Sequence, residues 1–137
     1  MLNERVRQVE TGAFWQLLGI YVRFAEGGKA QVEMPIETKH LQIYGKVHGG
    51  VLATLIDNAI GAAVHSLLSE FEATATVDLA IKYAKAVAEG RLRAEAEILK
   101  RGKSNIFGQC SVYNEADELI AWGNATFAVL DRSRWQR

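Results

Sequence analysis

The stretch from Val47 to Leu68 reads Val47-His48-Gly49-Gly50-Val51-Leu52-Ala53-Thr54-Leu55-Ile56-Asp57-Asn58-Ala59-Ile60-Gly61-Ala62-Ala63-Val64-His65-Ser66-Leu67-Leu68, and it decides the fold. From Gly49 or Gly50 to about Leu68 its apolar residues leave almost no polar face. A helix that is apolar nearly all round must be enclosed on most sides. The segment is long enough to raise the question of a membrane span. Asp57 stands at its middle, however, and a central carboxylate costs ~2.5–3.5 kcal/mol on insertion scales. The reading is therefore a long helix buried inside a soluble protein.

On either side of this helix the period changes. Leu2, Val6 and Val9 recur at helical spacing and predict a short amphipathic helix, and Phe14, Trp15, Leu17 and Leu18 predict a second apolar turn. Tyr21 to Ala25, the Gly27-Gly28 pair and the alternating Ala30 to Pro35 predict a hairpin, with the only proline at its end. Beyond the helix every segment alternates with period two: Thr76 to Tyr83, Arg91 to Ile98, Ile106 to Tyr113 and Leu119 to Leu130, the last two joined by a turn at Asn114 to Asp117. Strands joined by short turns cannot be parallel. The fold class is α+β, with an antiparallel sheet curled around one long central helix. The expected organisation is one domain over residues 1–137, with a helical extension over 1–12 and a polar tail over 131–137.

Composition narrows the function. A chain of 137 residues suits one domain. Sixteen basic residues balance sixteen acidic ones, and this zero net charge argues against nucleic acid or a membrane surface as the main partner. A single cysteine permits neither an internal disulfide nor a cysteine metal cluster, and Met1 to Glu10 carries no apolar core of the signal-peptide kind. A reducing cytoplasm is the expected compartment.

Two features can carry chemistry. Asp57 is the only acidic residue between Val47 and Leu68. Burying an ionised carboxylate is expensive unless hydrogen bonds or positive potential compensate, so Asp57 is either a catalytic group or a structural one held by hydrogen bonds or facing a solvent gap. His48-Gly49-Gly50 opens the helix, where glycine allows close approach to the backbone and unpaired N–H groups attract developing negative charge. Its plain alternative is an ordinary loop-to-helix junction. Gly49 and Asp57 lie eight residues apart, or ~12 Å along a helix. One reacting carbon needs its nucleophile and its oxyanion donor each within ~3–3.5 Å. If both groups act together they must come from two copies of the helix, so joint action predicts a two-fold dimer with antiparallel helices and two equivalent sites.

The run from His48 to Ala59 resembles the central helix motif of hotdog-fold acyl-CoA thioesterases, nearest in pattern to the phenylacetate-degradation branch. The likeness extends from about Phe14-Trp15-Gln16-Leu17-Leu18-Gly19-Ile20 to Phe127-Ala128-Val129-Leu130, and includes Thr76-Val77-Asp78-Leu79 and the turn Lys100-Arg101-Gly102-Lys103-Ser104. The resemblance implies hydrolysis of acyl-CoA or aryl-CoA thioesters by homodimers that often pair into tetramers. It assigns Asp57 as nucleophile or general base and the Gly49 N–H of the partner subunit as oxyanion donor. His48 would shape the carbonyl site, and Thr76 would assist the carboxylate or its water. The family has asparagine where Gln42 stands, orienting the nucleophile or water. The longer glutamine arm either keeps that role with shifted geometry or marks a changed substrate or lost activity. Ala80 and Ala86 are further departures.

By charge, Lys100, Arg101 and Lys103 in a turn and Lys82 and Lys85 at a strand end are candidates for the CoA phosphates, and Gly50 and Ser104 join them as candidates for holding substrate, with solvated turn residues as the alternative. Phe14, Trp15, Leu18 and Leu55 are candidates for an acyl pocket or for plain core. His65 is read as structural, favoured by the carbonyl end of the helix dipole, and Cys110 as a small buried apolar residue. No metal or cofactor is implied. One tension remains: strict alternation puts Thr76 on the face opposite Val77 and Leu79. A bulge near the strand start, or a site at the dimer seam, would reconcile it. The rival reading is a non-catalytic acyl-CoA-binding or sensing protein on the same fold. Hydratase chemistry would require a different Asp and His motif.

Overall fold

The structure is a computed structural model that describes residues 3–135. Leu2 of the first predicted helix, and residues 136 and 137 of the polar tail, lie outside the described residues. The elements in chain order are α1 (Glu4–Glu10), α2 (Ala13–Leu18), β1 (Tyr21–Glu26), β2 (Lys29–Pro35), a 3₁₀ turn at Thr38–His40, α3 (Gly49–His65), β3 (Glu72–Tyr83), β4 (Arg91–Arg101), β5 (Asn105–Tyr113), β6 (Leu119–Asp131) and α4 (Arg132–Trp135). The six strands form one antiparallel sheet in the order β1-β2-β4-β5-β6-β3. Because β3 crosses to the far side of β6, the strand that follows the long helix is an edge strand.

Helix α3 lies in the concavity of this sheet. Leu55, Ile56, Ala59 and Ile60 are fully buried, in one core with Leu92 and Ala94 of β4, Ile106 and Val112 of β5 and Ile120 of β6. Full burial of a leucine or isoleucine side chain contributes ~1.5–3 kcal/mol, so this packing holds the helix where its intrinsic propensity would not. His48 caps the helix, its Nδ1 accepting from the Gly50 N–H. The helix ends at His65, three residues before the sequence pattern suggests. Ser66 stops it: its hydroxyl donates to the Ala63 carbonyl at 2.6 Å and accepts from the Gly28 N–H at 2.9 Å, tying the helix end to the β1–β2 turn.

The sheet does not cover every side of α3. Gly50, Ala53, Thr54, Asp57 and Asn58 are exposed or half-buried, while the rest of the helix from Leu55 to Val64 is buried. The neighbouring edge strand β3 runs for 12 residues and exposes Val77, Leu79 and Tyr83. A long edge with apolar side chains is a template for pairing with another strand. Trp15, Leu18 and Leu55 fill core, whereas Phe14 is exposed. Cys110 is buried, and burial pushes its thiol well above the usual range. No helix among the described residues is long and apolar enough to cross a membrane.

Candidate active site

Asp57 sits on the uncovered face of α3, half-buried, and its Oδ1 accepts a hydrogen bond from the Thr76 hydroxyl at 2.8 Å. Burial raises the Asp57 carboxyl above its ordinary value, and the Thr76 bond, by stabilising the anion, pulls part of the way back. A carboxylate poised this way is a stronger base than one in water. The apparent parity conflict at Thr76 has a simple cause. In the β3–β6 pairing Thr76 faces Phe127 and Asp78 faces Thr126, so Val77 is an unpaired bulge. The extra residue reverses the alternation. Before it Thr76 points at the helix; after it Leu79, Ile81 and Tyr83 do, opposite Ala125, Gly123 and Ala121, and Asp78, Ala80 and Lys82 turn outward.

The second group of residues gathers at the tip of α3. The His48 backbone N–H donates to the His40 carbonyl at 2.8 Å, and the Gly50 N–H donates to His48 Nδ1 at 2.8 Å. Among the described residues nothing accepts from the Gly49 N–H, which leaves it available at the positive end of the helix dipole. The Tyr83 hydroxyl donates to the Gly49 carbonyl at 2.8 Å. His40 supports the loop from behind. It is fully buried, with Nδ1 accepting from the Glu37 N–H at 2.9 Å and Nε2–H donating to the Leu18 carbonyl at 2.8 Å.

Within one chain, then, Asp57 meets Thr76, and His48 meets Gly49 and Gly50, but the two groups stand apart by the two helical turns between them. Gln42 belongs to neither. Its backbone closes a tight turn on Lys46, flanked by the Leu41–Val47 bridge, and its Oε1 accepts from the Tyr44 N–H at 2.5 Å and the Lys46 N–H at 3.4 Å. Lys82 lies on the outer face of β3, opposite Trp122. Lys100 and Arg101 end β4, and Lys103 and Ser104 lie in the exposed turn to β5. Arg101 is paired with Glu72 at 2.8 Å. His65 is structural, though not as a cation: burial lowers its pKa, and its Nδ1–H donates to the Gly61 carbonyl at 2.8 Å. Sequence reasoning missed Tyr83 and His40 as parts of the site. Alternation places Tyr83 on one face with Leu79 and Ile81 but carries no sign that its hydroxyl reaches Gly49, and His40 meets the site through its backbone.

An antiparallel sheet wrapped on a helix that opens with His-Gly-Gly and carries a mid-helix carboxylate defines a hotdog-fold thioesterase. A family model described as the thioesterase superfamily matches residues 44–121, more than half of the chain, and the chain belongs to this family. Acyl-coenzyme A thioesterase 13 of Homo sapiens is 36% identical over 117 residues, covering 82% of this chain and 82% of that protein. The 1,4-dihydroxy-2-naphthoyl-CoA hydrolase of Listeria monocytogenes is 25% identical over 114 residues, covering 83% of this chain and 93% of the hydrolase. A crystal structure of a thioesterase family protein from Silicibacter pomeroyi superposes with a TM-score of 0.87 at 28% identity, covering 93% of this chain and 97% of that one. Thioester hydrolysis is the general chemistry of this family.

Proposed function

We propose that the protein hydrolyses acyl-CoA or aryl-CoA thioesters to free acid and CoA, at sites shared between the two subunits of a homodimer. The thioester carbonyl lies against the Gly49 N–H of one subunit, where a preorganised donor contributes ~2.7–4 kcal/mol of transition-state stabilisation. Asp57 of the other subunit either attacks the carbonyl carbon to form a mixed anhydride or takes a proton from a water that attacks it. The C–S bond then breaks, and the CoA thiolate leaves without a strong general acid because a thiol pKa lies near ~8.5; on the anhydride route a water then hydrolyses the acyl–Asp57 bond, releasing the acid and restoring the carboxylate. No metal or cofactor takes part. Lys100, Lys103 and Ser104 are the exposed candidates for the CoA phosphates, and further pairing of dimers into a tetramer is part of this reading.

The observation that carries the proposal is the Thr76–Asp57 hydrogen bond at 2.8 Å on the open face of an otherwise apolar helix. The bond sits on the face of α3 that the subunit's own sheet leaves uncovered, where a substrate or a second subunit can reach the carboxylate. Two relatives named for acyl-CoA and naphthoyl-CoA hydrolysis support the substrate class. The test is thiol release from a panel of acyl- and aryl-CoA esters by wild type and Asp57→Ala. Turnover lost by several decades with assembly intact supports the enzyme.

One observation favours a second reading, that of a non-catalytic acyl-CoA sensor. The Gln42 carbonyl oxygen is committed to its own turn through Tyr44, which removes an acceptor that would otherwise be available to orient water. Tight binding of CoA esters without turnover in either protein would select it.

A further inference from the structure

We propose that Tyr83 is a positioning residue of the thioester site: through the Gly49–Gly50 peptide it strengthens the hydrogen bond that sets the His48 tautomer, and it holds the first turn of α3 against the strand that also carries Thr76. The inference rests on the thioesterase reading for its kinetic consequence but not for its structural one.

Three groups form a continuous line of hydrogen bonds. The Tyr83 hydroxyl donates to the Gly49 carbonyl at 2.8 Å. The N–H of that same peptide, which belongs to Gly50, donates to His48 Nδ1 at 2.8 Å. Donation to a peptide oxygen polarises its N–H, so the first bond strengthens the second. A backbone N–H can only donate, and Nδ1 is therefore the acceptor. In the neutral ring the proton sits on Nε2. Among the described residues nothing accepts from that Nε2–H. The tip of α3 thus carries two unused donors, the Gly49 N–H and His48 Nε2–H, at the end where the thioester oxygen gains charge.

The two glycines make this arrangement possible. A Cβ at Gly49 would lie 3.3 Å from Tyr83 Cζ and Oη, and a Cβ at Gly50 would lie 3.0 Å from His48 Nδ1. Neither position is a left-handed backbone that demands glycine for its conformation; both are glycine because a ring is packed on each. Tyr83 is also on the same strand as Thr76. The Val77 bulge turns both toward α3, so one edge strand braces the carboxylate at one end and the donor tip at the other.

The decisive variant is Tyr83→Phe, which keeps the ring on Gly49 and removes only the hydroxyl. The readouts are ring ¹⁵N chemical shifts of His48, followed as the pH is raised until they no longer change, and kcat and KM for thiol release from an acyl-CoA. Wild type should show an unprotonated Nδ1 whose resonance moves in Tyr83→Phe as its hydrogen bond from Gly50 weakens, with kcat down about tenfold and KM within about twofold, as for loss of an orienting hydrogen bond. A protonated Nδ1 in wild type overturns the proposal, as does a His48 spectrum unmoved by Tyr83→Phe. A moved Nδ1 resonance with unchanged kcat overturns the positioning role. Absence of turnover in wild type sinks the thioesterase reading alone, because the tautomer measurement in the resting protein still decides the relay.

Discussion

Thr76 reaches Asp57 at 2.8 Å from the same strand whose Tyr83 reaches Gly49, and it does so only because Val77 is bulged out of the β3–β6 ladder. Without the extra residue either Thr76 or Tyr83 would face away from α3, and the edge strand could brace one half of the site but not both. The bond matters to charge as well as to position. It stabilises the ionised Asp57 against a burial effect that disfavours it.

Thr76→Val should therefore shift the acid limb of the pH–rate profile upward. Losing the hydroxyl removes the influence that lowers the Asp57 pKa, so a smaller fraction is ionised at any given pH below the plateau. A hydrogen bond to a charged group is worth ~1.5–3 kcal/mol, which sets a ceiling of roughly 10–150-fold on the loss of kcat/KM. Thr76→Ser should retain most of both properties. Thiol release measured across pH checks the prediction, and an unmoved limb would refute it.

Asp57→Asn trades activity for stability. Removing the base should lower kcat by ~10²–10⁴-fold. Because burial raises the folded-state pKa above the unfolded one, the folded state binds more protons between those two values, and stability falls as pH rises through that window. Above it the cost of the buried anion is fully present; below the unfolded value of ~3.9 it is gone. The variant should melt higher than wild type at neutral pH, with the difference closing as the buffer is acidified. Thermal melts over that range test the sign directly.

The architecture was legible in the sequence because its signals are periodic. The all-apolar run around Leu55, Ile56 and Ile60 marked the enclosed helix, and alternation marked the strands on either side. The thioesterase family was legible too, through His48-Gly49-Gly50 and Asp57. What sequence could not supply was anything that depends on one residue of register. The Val77 bulge carries no compositional signature beyond the parity conflict at Thr76 that called for one, and the alternation that groups Tyr83 with Leu79 does not tie its hydroxyl to Gly49. His65 was assigned its place by helix polarity, whereas a bond to Gly61 and burial account for it. Gln42 was judged by chemical type, and only coordinates reveal its amide bound to the turn.

Shared sites make a quantitative prediction. In a heterodimer of Asp57→Ala with Gly49→Val, one site carries both lesions and the other carries neither. Equal random mixing of the two inactive proteins should restore about a quarter of wild-type sites, since half the dimers are hybrid and each has one intact site of two. The Gly49 substitution is suitable because even its Cβ would crowd Tyr83 at 3.3 Å, and the added methyl groups press further on the helix tip. Co-expression followed by thiol-release assay gives the value. Activity that stays at the level of either parent would place both halves of the site in one subunit.

Two glycines on either side of the same packing layer should respond oppositely to alanine. Gly61 lies one turn beyond Asp57, inside α3, and a Cβ there would meet the Phe127 ring at 3.6 Å, an ordinary contact. Gly61→Ala should stabilise by ~0.5–1 kcal/mol through the reduced entropy of the unfolded chain and better helix propensity, with kcat within about twofold of wild type. Gly123 faces Ile81 in the β3–β6 pairing, and a Cβ there would lie 2.3 Å from the Ala80 carbonyl oxygen and 2.9 Å from Ile81 Cδ1. Backbone oxygen in a hydrogen-bonded ladder cannot move aside, so Gly123→Ala must push β3 away from β6. Overpacking of this kind costs ~1–3 kcal/mol. Because β3 carries Thr76 and Tyr83, the loss should extend to activity in whatever protein still folds. Urea unfolding with an unchanged m-value separates the two cases, the midpoint rising for Gly61→Ala and falling for Gly123→Ala.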